Sequence, residues 1–160
     1  MQIIVMSMED VEHGEIAGMQ IRQPNDLFAV ISIRDLGARH VFVITQRAKQ
    51  TFGVLRLDYD DDKFGPKAIT PAQAKETADF IRQAASAGVD VLCCHCKAGV
   101  SRSAATAAAA AEILGQNNDE FFRDPYFLNI LVYTSILKAA GKTPKRGAYD
   151  RVVTLEDDEQ

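Results

Sequence analysis

A short apolar segment, Val89 to Cys94 (VDVLCC), runs into the loop His95–Ser101, which contains Gly99, and the loop opens onto Arg102 to Leu114 (RSAATAAAAAEIL). No other stretch limits the fold so tightly. The first piece is too brief and too β-rich for a helix. The last is a strong helix former, and Gly115 ends it. A helix that offers mostly methyl groups packs by coming close, against a sheet or between other helices. Strand, tight loop and close-packed helix in succession predict an α/β layer fold.

The rest of the chain agrees with that frame. Ile3–Met6, Leu27–Ile33, His40–Thr45 and Thr51–Tyr59 read as strands, the last alternating at Leu55, Leu57 and Tyr59. Asp60, Asp61, Asp62 and Lys63 break that strand into a polar loop through Gly65 and Pro66. Thr70-Pro71-Ala72-Gln73 is a capping box with proline at the first helical position. Ala74, Ala78, Ile81 and Ala85 share one face of the helix it starts, and Gly88 suits its C-terminal end. Further helix is expected at Glu120–Arg123 and at Tyr126–Ala140, stopped by Gly141, with Phe121, Phe122, Tyr126, Phe127 and Leu128 packing a helical core. No internal repeat or long linker interrupts this pattern. One domain over 1–155 and an acidic, frayed tail over 156–160 are expected.

Composition excludes several classes. The chain has 160 residues, enough for one real core, with 47% apolar and 25% charged residues. A net charge of −4 argues against a dedicated nucleic-acid or anionic-membrane binder. No apolar run reaches bilayer length, and MQIIVMSMEDVEH reads as a first strand, not a signal peptide. Cys93, Cys94 and Cys96 are too crowded for a disulfide framework, so a reducing, cytoplasmic setting is expected; separately, their spacing is read as offering no zinc site. If the strand persists, Cys94 shares a side with Cys96, which admits a protective disulfide; simple core packing is the blander reading. Lys142, Lys145, Arg146 and Arg151 form a loose basic stretch, read as solvated surface.

The loop His95-Cys96-Lys97-Ala98-Gly99-Val100-Ser101-Arg102-Ser103 carries the chemistry. It lies at the carboxyl end of a buried strand and at a helix N-terminus, where unpaired N–H groups and the helix dipole attract an anion. Gly99 permits the turn that aims successive amides at one point. Arg102 adds a planar fork for two oxygens of a phosphoryl group. A thiol in such a field ionises more readily than the ordinary value of about 8.5 allows, which makes Cys96 the candidate nucleophile. Ser103 could stabilise its thiolate, and His95 would hold the loop without serving as the base.

These residues match the H-C-x5-R-[S/T] signature, and HCKAGVSRS resembles the dual-specificity branch of the protein tyrosine phosphatase superfamily. The resemblance covers about Phe28 to Leu114. It implies a short, mostly parallel central sheet flanked by helices, and cofactor-independent, two-step phosphomonoester hydrolysis through a phosphocysteine. Lys97, Ala98, Gly99, Val100, Ser101 and Arg102 would bind phosphate, and a separate loop would supply an aspartic acid. Asp58, Asp60, Asp61 and Asp62 lie in range; the family pattern points to Asp61, with Asp60 and Asp62 as alternatives and Lys67, Ala68 and Ile69 as extra loop. The expected partner is a phosphorylated protein, with phosphotyrosine first and phosphoserine or phosphothreonine as further possibilities. A single lysine, Lys97, is less positive charge than lipid-directed relatives place there. A phosphoinositide, an RNA 5′ end, or a silent phosphate-binding module are the rival readings.

Overall fold

A computed structural model describes residues 1–13, 26–38 and 50–144. The strand expected at His40–Thr45, the tail from 156 and most of the basic stretch lie outside the described residues. Strands β1 (Gln2–Ser7), β2 (Leu27–Arg34), β3 (Gln50–Asp58) and β4 (Val91–Cys96) form one sheet in the order β1-β4-β2-β3. Every pairing is parallel. β2 is an interior strand, apolar on both faces and buried from Phe28 through Arg34.

Helix α1 (Met8–His13) follows β1, α2 (Pro71–Ser86) follows β3, α3 (Arg102–Ile113) follows β4, and α4 (Ile130–Ala139) is the last among the described residues. The capping box of α2 forms as expected, with Thr70 Oγ1 accepting from Gln73 N at 3.1 Å and Gln73 Oε1 accepting from Thr70 N at 2.9 Å. The alanine helix α3 is buried from Arg102 to Glu112 and touches β1, β4, α2 and α4. Methyl side chains allow this approach from several sides at once. A larger residue there would cost roughly 1–3 kcal/mol through overpacking.

The main core lies between the sheet and α2, α3 and α4; it includes Ile31, Leu92, Cys94, Ile81, Tyr133 and Ile136. A smaller cluster on the other face holds Ile4, Met6, Val11, Phe28, Val30, Val91 and Cys93.

Two expectations need correction. β4 starts two residues later than read and runs through His95 and Cys96. Tyr126–Leu128 is not helical: a short 3-10 turn covers Asp119–Phe122, and α4 begins only at Ile130. The backbone N–H groups of Phe127 and Asn129 instead donate to Val100 O and Ser101 O at 2.9 and 3.3 Å. Phe121, Phe122 and Leu128 are buried, but Phe127 faces solvent.

Candidate active site

The carboxyl ends of β1, β2, β3 and β4 bring Ser7, Asp35, Asp58–Asp62 and Cys96 to one edge of the sheet, because all four strands run the same way. The loop after β4 is locked there from outside. Its carbonyls at Lys97, Val100 and Ser101 accept from Met8 N (3.1 Å), Phe127 N (2.9 Å) and Asn129 N (3.3 Å). In a planar trans peptide the N–H points opposite to the C=O. Outward carbonyls at these positions therefore turn the amides of Ala98, Ser101 and Arg102 inward. Gly99 has φ +72, and its Cα sits against the chain at Met6–Ser7. A Cβ there would stand 2.6 Å from Met6 C and Ser7 N.

Cys96 is buried. Its Sγ accepts from Gly99 N at 3.3 Å and lies 3.1 Å from Ser103 Oγ. Arg102 is 4% exposed. Its Nη1 donates to Tyr59 O and pairs with Asp35 Oδ1, both at 2.7 Å. Arg102 Nε is buried without a hydrogen-bond partner among the described residues. One edge of the guanidinium is thus held, and a donor on another edge is left for a ligand. Burial pushes the Tyr59 phenol up despite the nearby Arg102 cation, so Tyr59 stays neutral. Asp35 and the Tyr59 carbonyl were not among the sequence candidates; no local motif marks a contact between residues 43 positions apart.

The acidic loop sorts its aspartates. Asp61 Oδ1 accepts from Ser101 Oγ and from Asn129 Nδ2, each at 2.8 Å. Asp60 Oδ1 accepts instead from Leu36 N at 3.0 Å. Asp62 is exposed, and its carbonyl accepts from Asn129 Nδ2 at 3.2 Å. Asp58 ends β3, with its carbonyl accepting from Gln73 Nε2. Asn129, absent from the sequence candidates, also caps α4 by accepting from Val132 N at 3.1 Å.

Cys94 and Cys96 do share a face, but residues i and i+2 of a strand stand about 6.6–6.8 Å apart with parallel side chains. A disulfide needs Cβ atoms within about 4.5 Å, so bridging would require the strand to buckle. Burial, with Cys96 adjacent, pushes the Cys94 thiol well up. Cys93 and Cys96 have CxxC spacing, yet they belong to opposite faces of the sheet. Among the described residues, no group of three or more His, Cys, Asp or Glu could hold a metal ion.

His95 is fully buried on the face opposite Cys96. Burial, with the Arg34 cation adding, lowers its pKa to about 4, against a smaller opposing contribution from the Cys96 backbone. Both ring nitrogens are buried, and the Cys96 backbone is the hydrogen-bonding group that acts on the ring. A folded-state value below the unfolded one of about 6.5 means that the unfolded chain binds more protons between them. Stability is then complete above about pH 6.5 and falls as pH drops toward 4. Lowering the pH from 7.5 to 5 should remove about 2 kcal/mol through this group. Urea midpoints for the parent and His95→Asn at both pH values check this; equal pH dependence in the two proteins contradicts it.

No family model matches the sequence, and no curated protein matches it. Solved structures do match the fold. A crystal structure of PTPMT1 in complex with PI(5)P aligns at TM-score 0.55 and 16% identity, covering 94% of each chain. Another PTPMT1 structure aligns at TM-score 0.52 and 16% identity, covering 96% of this chain and 95% of that one. Human DUSP28 aligns at TM-score 0.47 and 19% identity, covering 99% and 93%. The chain shares the fold of the PTPMT1 structures. Among the described residues, the sheet of four parallel strands with flanking helices is the architecture expected from the loop signature. No helix among the described residues is long and apolar enough to cross a membrane.

Proposed function

We propose that this chain is a cysteine-dependent phosphomonoester hydrolase acting on phosphotyrosine in proteins, with phosphoserine and phosphothreonine as secondary substrates. The observation that carries this reading is a buried sulfur touching an amide and a hydroxyl in a loop whose arginine is held on one side. In the first step Cys96 Sγ attacks phosphorus, the S–P bond forms and the P–O bond to the leaving group breaks. Inward amides and Arg102 stabilise the charge on the phosphoryl oxygens. Asp61 protonates the leaving oxygen. In the second step water attacks phosphorus, Asp61 takes its proton, and the sulfur departs as a thiolate stabilised by Ser103 and Gly99 N–H. Two donors already occupy Asp61 Oδ1, so the transferred proton is carried on Oδ2.

A phosphoinositide is the second reading, since PTPMT1 has been crystallised with PI(5)P. The net charge of −4 and the single loop lysine, Lys97, favour the protein substrate.

Turnover of an aryl phosphate without added metal, inhibited by vanadate, tests the class. Asp61→Asn should slow hydrolysis of phenyl phosphate at least about 100-fold, and that of a nitrophenyl phosphate far less, because a good leaving group needs no proton. Asp60→Asn and Asp62→Asn should show no such split. If all three behave like the parent, Asp61 is not the acid.

A further inference from the structure

Three large apolar side chains stand out in water among the described residues: Phe64 at 84%, Phe127 at 63% and Leu36 at 48%. Single exposed apolar residues are ordinary when scattered. These are not scattered. Leu36 follows Asp35, which is bonded to Arg102, and its own N–H donates to Asp60. Phe64 is three residues past Asp61, which is bonded to Ser101. Phe127 donates its N–H to Val100 O. All three project from segments tied directly to the anion loop or its acid.

Resting on the phosphatase reading above, we propose that Leu36, Phe64 and Phe127 form an apolar rim. It grips large apolar side chains near the phosphorylated residue of a protein substrate. In an extended peptide, successive side chains alternate. With the phosphorylated residue pointing into the pocket, the residues two before and two after it face the same way and land on the rim. The segments that carry the three are bonded to Arg102, Ser101 and Val100, which is why a substrate held in that loop would pass close to them. A membrane surface fits less well. Segments that lie on membranes set basic residues beside their apolar ones, and an anionic leaflet repels aspartate. Phe64 follows Asp60, Asp61 and Asp62, with only Lys63 and Lys67 close by.

The test uses two phosphotyrosyl peptides that differ only at the second position on each side, leucine in one and serine in the other. The parent should favour the leucine peptide about tenfold in kcat/KM, from partial burial of two leucines. In Phe64→Ala/Phe127→Ala that preference should fall to near unity. Nitrophenyl phosphate turnover monitors whether the site is still assembled. Equal kcat/KM for the two peptides in the parent, or a preference that survives in the double variant, overturns the rim. So does faster hydrolysis of phosphoinositide in anionic vesicles than of the leucine peptide. Binding of both peptides to Cys96→Ser by fluorescence anisotropy reads the rim without turnover. A preference there alongside a parent inert on nitrophenyl phosphate would fault the catalytic reading and leave the rim standing.

Discussion

Cys96→Ser should lose turnover by at least about 10⁴-fold while folding as the parent does. A serine hydroxyl stays protonated at neutral pH, attacks phosphorus poorly and leaves poorly in the second step. The substitution is nearly isosteric. The new hydroxyl can still meet Gly99 N and Ser103 Oγ, which lie 3.3 and 3.1 Å from the present sulfur. The thermal midpoint should therefore move little. Vanadate and phosphopeptides should still bind, because the cradle is made of amides and Arg102 rather than of the sulfur. Single-turnover quench experiments on the parent should trap a phosphorylated peptide containing Cys96, and the serine variant should trap none. A variant that kept the parental rate would remove Cys96 from the mechanism.

Gly99→Ala should be the most damaging methyl group that can be added to the loop. Gly99 has φ +72, a region that costs an L-residue about 1–2 kcal/mol. That strain is the smaller part. The new Cβ would stand 2.6 Å from two backbone atoms of Met6 and Ser7 and 2.8 Å from Met6 O. Backbone in a strand cannot rotate out of the way as a side chain would, so the loop must shift. A displacement near 1 Å in a positioned group costs about 100-fold in rate. Gly115 supplies the control: it has the same φ of +72, and nothing lies within 4 Å of its Cβ position. Gly115→Ala should lose about 1 kcal/mol of stability and keep its activity. If the two variants have equal kcat/KM, the close contact with Met6 and Ser7 does not govern the loop.

Local signals were legible in the sequence where the structure depends on local physics. The capping box at Thr70–Gln73 and the strand–loop–helix succession around Cys96 are written in adjacent residues. Strand β4 runs two residues beyond its apolar run, where its polar end, His95, looks like loop in sequence. Buried beside Arg34, it completes the strand. The helix expected at Tyr126 failed for a nonlocal reason. Val100 O and Ser101 O take the N–H groups of Phe127 and Asn129, and no sequence window announces that. The same holds for Asp35, whose role comes from its ion pair with Arg102. It holds also for Asn129, which reaches Asp61 across 68 positions. Among Asp60, Asp61 and Asp62 the family resemblance points to Asp61, while the residues alone do not separate the three. Their different partners arise from how β2, the anion loop and α4 meet.

A crystal of the protein soaked in tungstate tests the central claim most directly. The account predicts one oxyanion directly over Cys96 Sγ, contacted by Arg102 Nε and by the amides of Ala98, Ser101 and Arg102. Tungstate bound elsewhere, with the loop between Cys96 and Arg102 left empty, would contradict it.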